Sequence, residues 1–115
     1  MEVSISLLGM FSRPKKPVSA KVIKFNRYSL VFNSNKKVKA GDVIYLNLKA
    51  GLHSLREVRG RVEECEPSGR FYQTRVLFVL ERPDKQPYHE AISILKAIEQ
   101  ATPEALRSPL HMQHP

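Results

Sequence analysis

The spacing of apolar residues changes near Pro83, and this change constrains the fold more than any other feature of the chain. Between Val18 and Leu80, apolar side chains recur at every second residue, which is the period of a strand with one buried face. After Pro83 they recur three or four residues apart, the period of a helix that packs through one face. These helical positions are Tyr88, Ile92, Leu95 and Ile98. The two patterns together predict an all-β domain that ends in a C-terminal helix.

Turn residues divide the first pattern into short strands. Polar or glycine-containing turns stand at residues 26–27, 33–35, 40–42, 50–51 and 67–69. Strands this short are typical of an antiparallel sandwich or small barrel. We expect Gly60 at a β-bulge, a helix from about Pro87 to Gln100 and a second, short helix from Pro103 to Arg107.

This interpretation divides the chain into three parts. Residues 1–17 form an N-terminal segment that ends in a basic arm, residues 18–100 form the barrel with its helix, and residues 101–115 form a short helix and a loose tail. The stretch S-R-P-K-K-P at residues 12–17 contains two prolines, so it cannot be the interior of a helix or a central strand.

Length and composition narrow the class of protein. A chain of 115 residues with 42% hydrophobic residues is enough for one domain with one core. No apolar run reaches the roughly 18 residues of a membrane-spanning helix, and the N-terminal stretch has no basic residues ahead of its apolar part. A single cysteine, Cys65, forms no internal disulfide framework. We therefore expect a cytoplasmic protein.

Positive charge is confined to the first half of the chain. Residues 1–60 contain twelve Lys and Arg and three Asp and Glu, a net charge of +9, whereas residues 61–115 contain seven and eight, a net charge of −1. A basic surface of this kind attracts phosphate groups on nucleic acids, nucleotides or lipids. The alternative is a solvated basic surface without a specific ligand.

The sequence predicts neither catalysis nor a metal or cofactor site. Glu63, Glu64 and Glu66 surround Cys65, but neighbouring residues of a strand face opposite ways and cannot converge on one site. Nearby carboxylates also disfavour the thiolate that a nucleophile requires. The sequence contains no glycine-rich phosphate-binding loop, and its histidines have no spacing typical of a complete metal site.

The order of these elements resembles that of a PilZ domain from about residue 13 to residue 100. The stretches that carry the resemblance are V-K-A-G-D-V-I-Y-L-N-L at residues 38–48, V-R-G-R-V at 58–62, Y-Q-T-R-V-L-F at 72–78 and the closing helix. PilZ domains are six-stranded antiparallel barrels with a C-terminal helix, and many are bacterial receptors for cyclic di-GMP. The resemblance therefore implies this fold.

Two family motifs carry the ligand, and both are degenerate in this chain. The family arm R-x-x-x-R is matched at Arg13, but Pro17 replaces its second arginine, and Lys15 and Lys16 lie between them. The family motif [D/N]-x-S-x-x-G falls on residues 27–32, where Ser29 matches the serine. Arg27 and Phe32 replace the acidic or amide residue and the glycine.

The resemblance implies that an anionic ligand, if one binds, contacts Arg13, Lys15, Lys16, Arg27 and Ser29. The structural alternatives are an outward-facing polar residue for Ser29 and a solvated turn residue for Arg27, with Tyr28, Leu30 and Phe32 in the core.

From the resemblance we expect a non-enzymatic signalling or adaptor domain linked to cyclic di-GMP or motility. The degenerate motifs predict weak or absent direct binding of cyclic di-GMP, and a protein partner of unknown identity. The alternative is a small basic barrel that binds single-stranded nucleic acid, which would require exposed aromatic residues among the cations. Phe25, Phe71 and Tyr72 are the aromatic residues whose exposure distinguishes the two functions.

Overall fold

A computed structural model describes residues 2–6, 18–80 and 86–107. The strands are β1 (Glu2–Ser6), β2 (Val18–Phe25), β3 (Ser29–Ser34), β4 (Val43–Ala50), β5 (His53–Ser68) and β6 (Phe71–Val79). Helix α1 spans Gln86–Ala101, and a single 3₁₀ turn follows at Glu104–Leu106. The expected antiparallel β domain with a C-terminal helix is confirmed. Within the described ranges, no helix is both long and apolar enough to cross a membrane.

Five strands between Val18 and Val79 form one curled antiparallel sheet in the order β2-β3-β6-β5-β4. Strand β1 pairs with β2 and with β4, the two outer strands of that sheet. The sequence predicts that residues 1–17 precede the barrel, but residues 2–6 belong to the sheet. The alternation in E-V-S-I-S was present in the sequence, and Val3 is buried.

The core lies between the curled sheet and α1. Strand β4 shows the expected pattern most clearly, because Ile44, Leu46 and Leu48 alternate with more exposed residues and are all buried. From α1, Leu95 and Ile98 are completely buried in the same cluster. Ile92 is only partly buried, and the side chain of Tyr88 lies outside the described part of the structure. The helical period therefore identified the packed face of α1 correctly at its centre.

The predicted β-bulge at Gly60 is wrong. The register of the strand pair β5–β6 shifts between Val62 and Glu64, whereas Gly60 pairs regularly with Phe78. Glycine is needed at position 60 for close packing, because a Cβ atom there would lie 2.9 Å from the Leu46 Cδ1 atom. A glycine in a strand can thus mark either a bulge or a close approach, and only the structure distinguishes them.

Candidate ligand-binding surfaces

The turn between β2 and β3 contains the predicted motif residue Ser29. The side-chain Oδ1 of Asn26 accepts hydrogen bonds from the backbone N–H groups of Tyr28 at 2.8 Å and Ser29 at 2.9 Å. The Ser29 hydroxyl lies 3.3 Å from the same oxygen and donates to it. Ser29 is only 4% exposed. The interpretation of Ser29 as an outward-facing polar residue is therefore wrong, because its hydroxyl closes this turn.

Arg27, in the same turn, is held by Glu99 of α1. The Arg27 Nη2 atom donates to Glu99 Oε1 at 2.9 Å, and the Arg27 backbone N–H donates to Glu99 Oε2 at 2.7 Å. The two side chains are 22% and 12% exposed, respectively. The hydrogen bond with Glu99 raises the pKa of the Arg27 guanidinium above its usual value. Arg27 is therefore not a solvated turn residue, since it connects the β2–β3 turn to the helix.

The C-terminal segment fixes the same end of the sheet. Lys24 of β2 donates from Nζ to the carbonyl of Ala105 at 2.8 Å. Arg107 donates to the carbonyls of Gln100 and Thr102 at 2.9 and 2.8 Å, and these are acceptors that the end of a helix leaves without intrahelical partners. These contacts and the Arg27–Glu99 pair hold α1 against the β2–β3 turn.

The two predicted site residues that the structure describes, Arg27 and Ser29, therefore lie on one turn and bond to other groups of the chain. Arg13, Lys15 and Lys16 lie outside the described residues. The family motif expects an acidic or amide side chain two residues before its serine. Here an amide stands three residues before it, at Asn26, and its oxygen is occupied by the turn itself.

A second surface, which we call the basic groove, crosses strands β1, β2, β4 and β5. It is a depression of about 930 Å³ with apolar side chains at its base. Its polar lining residues are Ser19, Lys21, Asn47, Lys49, Ser54 and Arg56. No Asp or Glu is among the described residues that line it. The groove therefore presents three positive charges from three different strands and suits an anionic ligand.

Two cations of the basic groove, Lys21 and Arg56, differ from Arg61 and Arg75 in their described ion pairs. Lys21 and Arg56 form no ion pair with a carboxylate whose side chain the structure describes, and Lys49 lies directly opposite Glu2, whose side chain is outside the described part. By contrast, Arg61 lies 3.6 Å from Glu63, and Arg75 lies 3.7 Å from Glu64. The groove therefore contains cations whose charge an anionic ligand could neutralise.

A third surface, which we call the Phe71 pocket, adjoins the basic groove. It has a volume of about 560 Å³ and includes Ser19, Lys21, Asn33, Asn35 and Phe71. Lys21 and Asn33 are directly opposite each other on β2 and β3, so their side chains share one face of the sheet. Phe71 is 51% exposed. The pocket thus combines an exposed aromatic ring, two amides and a cation.

The aromatic residues predicted as candidates from the sequence differ in their exposure to solvent. Phe25 is completely buried and packs against Phe78, with ring centroids 5.9 Å apart, so it cannot stack on a ligand. Tyr72 is partly buried. Tyr28, which the sequence placed in the core, is instead 48% exposed on the turn that Asn26 closes. Of the three candidates named from the sequence, Phe71 therefore has the exposure that stacking requires.

The sequence does not predict Asn26, Glu99 or the cations of the basic groove as functional residues. Strand alternation placed Lys21 and Lys49 on outward-facing positions, and that signal could have identified them as solvent-facing cations. No local pattern could show that they meet Arg56, because their convergence depends on which strands pair.

Comparison with known proteins gives no family assignment, since no family model matches this chain and no curated protein matches it.

Proposed function

We propose that this chain is a non-enzymatic PilZ-like signalling or adaptor domain of the bacterial cytoplasm. In this proposal it acts through contacts with a protein partner and binds cyclic di-GMP weakly or not at all. The observation that carries the second part is the internal use of the motif residues. Arg27 is bonded to Glu99, and the buried Ser29 hydroxyl is bonded to Asn26. A ligand that used either of these bonded groups would have to compete with Glu99 or with Asn26.

The order of the elements supports the assignment to a PilZ-like barrel. An antiparallel sheet is followed by one helix, and the degenerate motif falls on the β2–β3 turn. Strand β1 supplies a sixth strand that pairs with both β2 and β4. These features agree with the six-stranded barrel and C-terminal helix that the resemblance implies.

The degenerate motif should cost most of the affinity for cyclic di-GMP. Pro17 removes one of the two arginine forks, and each hydrogen bond to a charged group is worth about 1.5 to 3 kcal/mol. An arginine at position 27 has no acceptor for the guanine edge, which removes a similar amount. A total of about 3 to 6 kcal/mol corresponds to a loss of roughly a hundredfold to tens of thousands-fold. An affinity of about 1 μM would therefore become about 0.1 mM or weaker.

The family motif cannot be restored at Phe32 by a substitution that affects ligand binding alone. It occupies the position of the family glycine, but its side chain is buried in the core cluster, so Phe32→Gly would remove core packing as well as bulk. The family arm offers another position for repair, Pro17, which lies outside the described residues. We expect Pro17→Arg alone to recover only the lower end of the 1.5 to 3 kcal/mol given above, about tenfold in affinity for cyclic di-GMP, because Arg27 and Ser29 remain engaged inside the protein.

Calorimetric titration with cyclic di-GMP tests the proposal, at low and at near-physiological salt. The wild-type chain, Pro17→Arg and the matched control Pro17→Ala should all bind weakly, and any association should fade as salt rises because exposed charges are screened. Saturable wild-type binding below about 10 μM at physiological salt would refute the proposal. A large gain from Pro17→Arg that Pro17→Ala does not share would show that the turn can receive the ligand, contrary to the argument from Arg27 and Ser29.

A further inference from the structure

We propose that the basic groove and the Phe71 pocket form one continuous binding surface for single-stranded nucleic acid. The two depressions share Ser19, Ala20 and Lys21 of strand β2, so they meet along that strand. This function goes beyond the adaptor role proposed above and uses different residues from the β2–β3 turn. Its failure would therefore leave the conclusion about cyclic di-GMP unchanged.

The Phe71 pocket supplies the groups that contact a base. An exposed ring allows stacking with any nucleobase, because every base has a π-face. The Phe71 ring is half exposed, and the amide groups of Asn33 and Asn35 line the same pocket. Amide side chains offer both donors and acceptors to a base edge. The ring and the two amides of this pocket therefore suit one unstacked base, which would stack on Phe71.

The basic groove supplies the groups that contact the phosphates. Lys21 belongs to both depressions, and Lys49 and Arg56 continue the positive charge across β4 and β5. Lys21 and Arg56 form no ion pair with a carboxylate whose side chain the structure describes, so no such described contact has to break before they bind a phosphate. A backbone that leaves the Phe71 pocket past Lys21 would enter the groove and meet the other two cations.

The combination favours a single strand over other anionic partners. A duplex hides the faces of its bases in the stack, so it could use the cations but not Phe71. An acidic protein surface could likewise pair with the cations, but it does not present a flat ring beside each negative charge as a single strand does. The charges also extend over three strands beyond the aromatic ring, which suits a chain of several phosphates better than one nucleotide.

Fluorescence anisotropy with a labelled oligothymidine of about 12 nucleotides tests the stacking part, since small barrels cover up to roughly this length. Phe71→Leu should weaken binding by about 5- to 150-fold, the range that corresponds to loss of one base–aromatic stack. Tyr28→Leu is the matched control, because Tyr28 is about equally exposed but lines neither depression. A duplex of the same length should bind more weakly than the single strand and should not respond to Phe71→Leu.

The salt dependence of the same assay tests the phosphate part. For a single strand, the slope of log affinity against log salt decreases by about 0.7 for each phosphate contact removed. We expect Lys21→Ala and Arg56→Ala each to reduce the slope by about this amount. Arg61→Ala is the control, because Arg61 is an exposed arginine of β5 outside the groove that already pairs with Glu63.

The proposal requires two results: weaker binding by Phe71→Leu, and a smaller salt slope for Lys21→Ala and Arg56→Ala. Circular dichroism and thermal unfolding must show that each variant is folded. Absence of oligonucleotide binding at low salt would overturn it. Equal effects of Phe71→Leu and Tyr28→Leu would also overturn it, because stacking would then not be localised to this pocket. The same conclusion would follow if Arg61→Ala changed the slope as much as Lys21→Ala does, because the charge effect would then be general.

Discussion

The contact between Arg27 and Glu99 can be measured by a double-mutant cycle, and it is the contact on which the proposed loss of ligand binding depends. The cycle consists of the wild-type chain, Arg27→Ala, Glu99→Ala and the double variant. It isolates the interaction between the two side chains from their separate contributions to the free energy of unfolding. The pair connects a turn of the sheet to α1 across 72 residues of sequence.

The two single variants should differ because Glu99 makes two bonds and the Arg27 side chain makes one. Arg27→Ala removes the bond from Nη2 but keeps the backbone N–H of residue 27 bonded to Glu99, and it should cost about 1 to 2 kcal/mol. Glu99→Ala removes both bonds and should cost about 2 to 4 kcal/mol. Both side chains retain some exposure to water, which weakens the interaction between them. We therefore expect a coupling energy of about 1 to 2 kcal/mol, no larger than the cost of Arg27→Ala.

Urea unfolding at neutral pH measures each variant, and a second cycle on Arg61 and Glu63 provides the control. Those two side chains are 56% and 38% exposed and lie 3.6 Å apart, so their coupling should be below about 0.5 kcal/mol. The pKa of Arg27 is raised from a value that is already far above neutral. Its charge is therefore present in both the folded and the unfolded state near pH 7, and its stabilising contribution should not change with pH in that range.

A coupling energy for Arg27 and Glu99 no larger than that of the control pair would refute the reasoning. It would mean that the guanidinium exchanges freely with water and remains available to an anionic ligand. The proposed explanation for weak cyclic di-GMP binding would then lose its main support, even if the titration itself showed no binding.

Three further predictions concern stability. Leu95→Ala should cost about 2 to 5 kcal/mol in urea unfolding because Leu95 is completely buried, whereas the partly buried Ile92→Ala should cost clearly less; equal costs would mean that α1 packs through a different face. Gly60→Ala should destabilise by about 1 to 3 kcal/mol, since its Cβ would approach Leu46 to 2.9 Å, and a more stable variant would contradict that packing. Asn26→Ala should lower the thermal midpoint by removing the acceptor of three hydrogen bonds, and an unchanged midpoint would show that the turn does not need them.

Local sequence determined the secondary structure and the faces that are buried. Alternation that begins at Val18 and a turn at residues 26–27 together predict a strand that ends at Phe25, and β2 is found at Val18–Phe25. Helix α1 is predicted from about Pro87 to Gln100 and is found at Gln86–Ala101. The alternation of apolar residues also predicts the buried face of β4, which consists of Ile44, Leu46 and Leu48. These features follow from periods of two and 3.6 residues and from turn residues, all of which act between near neighbours in the chain.

The local sequence pattern gave a wrong prediction at positions where the same residue type is compatible with two different structural roles. Alternation placed Tyr28 in the core and left Ser29 facing outward, but the Asn26 turn buries Ser29 and leaves Tyr28 exposed. Gly60 was interpreted as a bulge, although its role is to admit the Leu46 side chain. In both cases the sequence identified an unusual position correctly, but the reason for it lay in atoms from another part of the structure.

The candidate sites were decided by tertiary structure. The sequence shows the positive charge of the first half and indicates Arg27, Ser29 and Phe71 as candidates, but no pattern in it indicates that Glu99 pairs with Arg27. The basic groove exists because β1 pairs with both β2 and β4, and β4 with β5, which brings cations at residues 21, 49 and 56 to one depression. Strand pairing joins residues that are far apart in sequence, and a periodic pattern records which face a residue occupies but not which strand lies beside it.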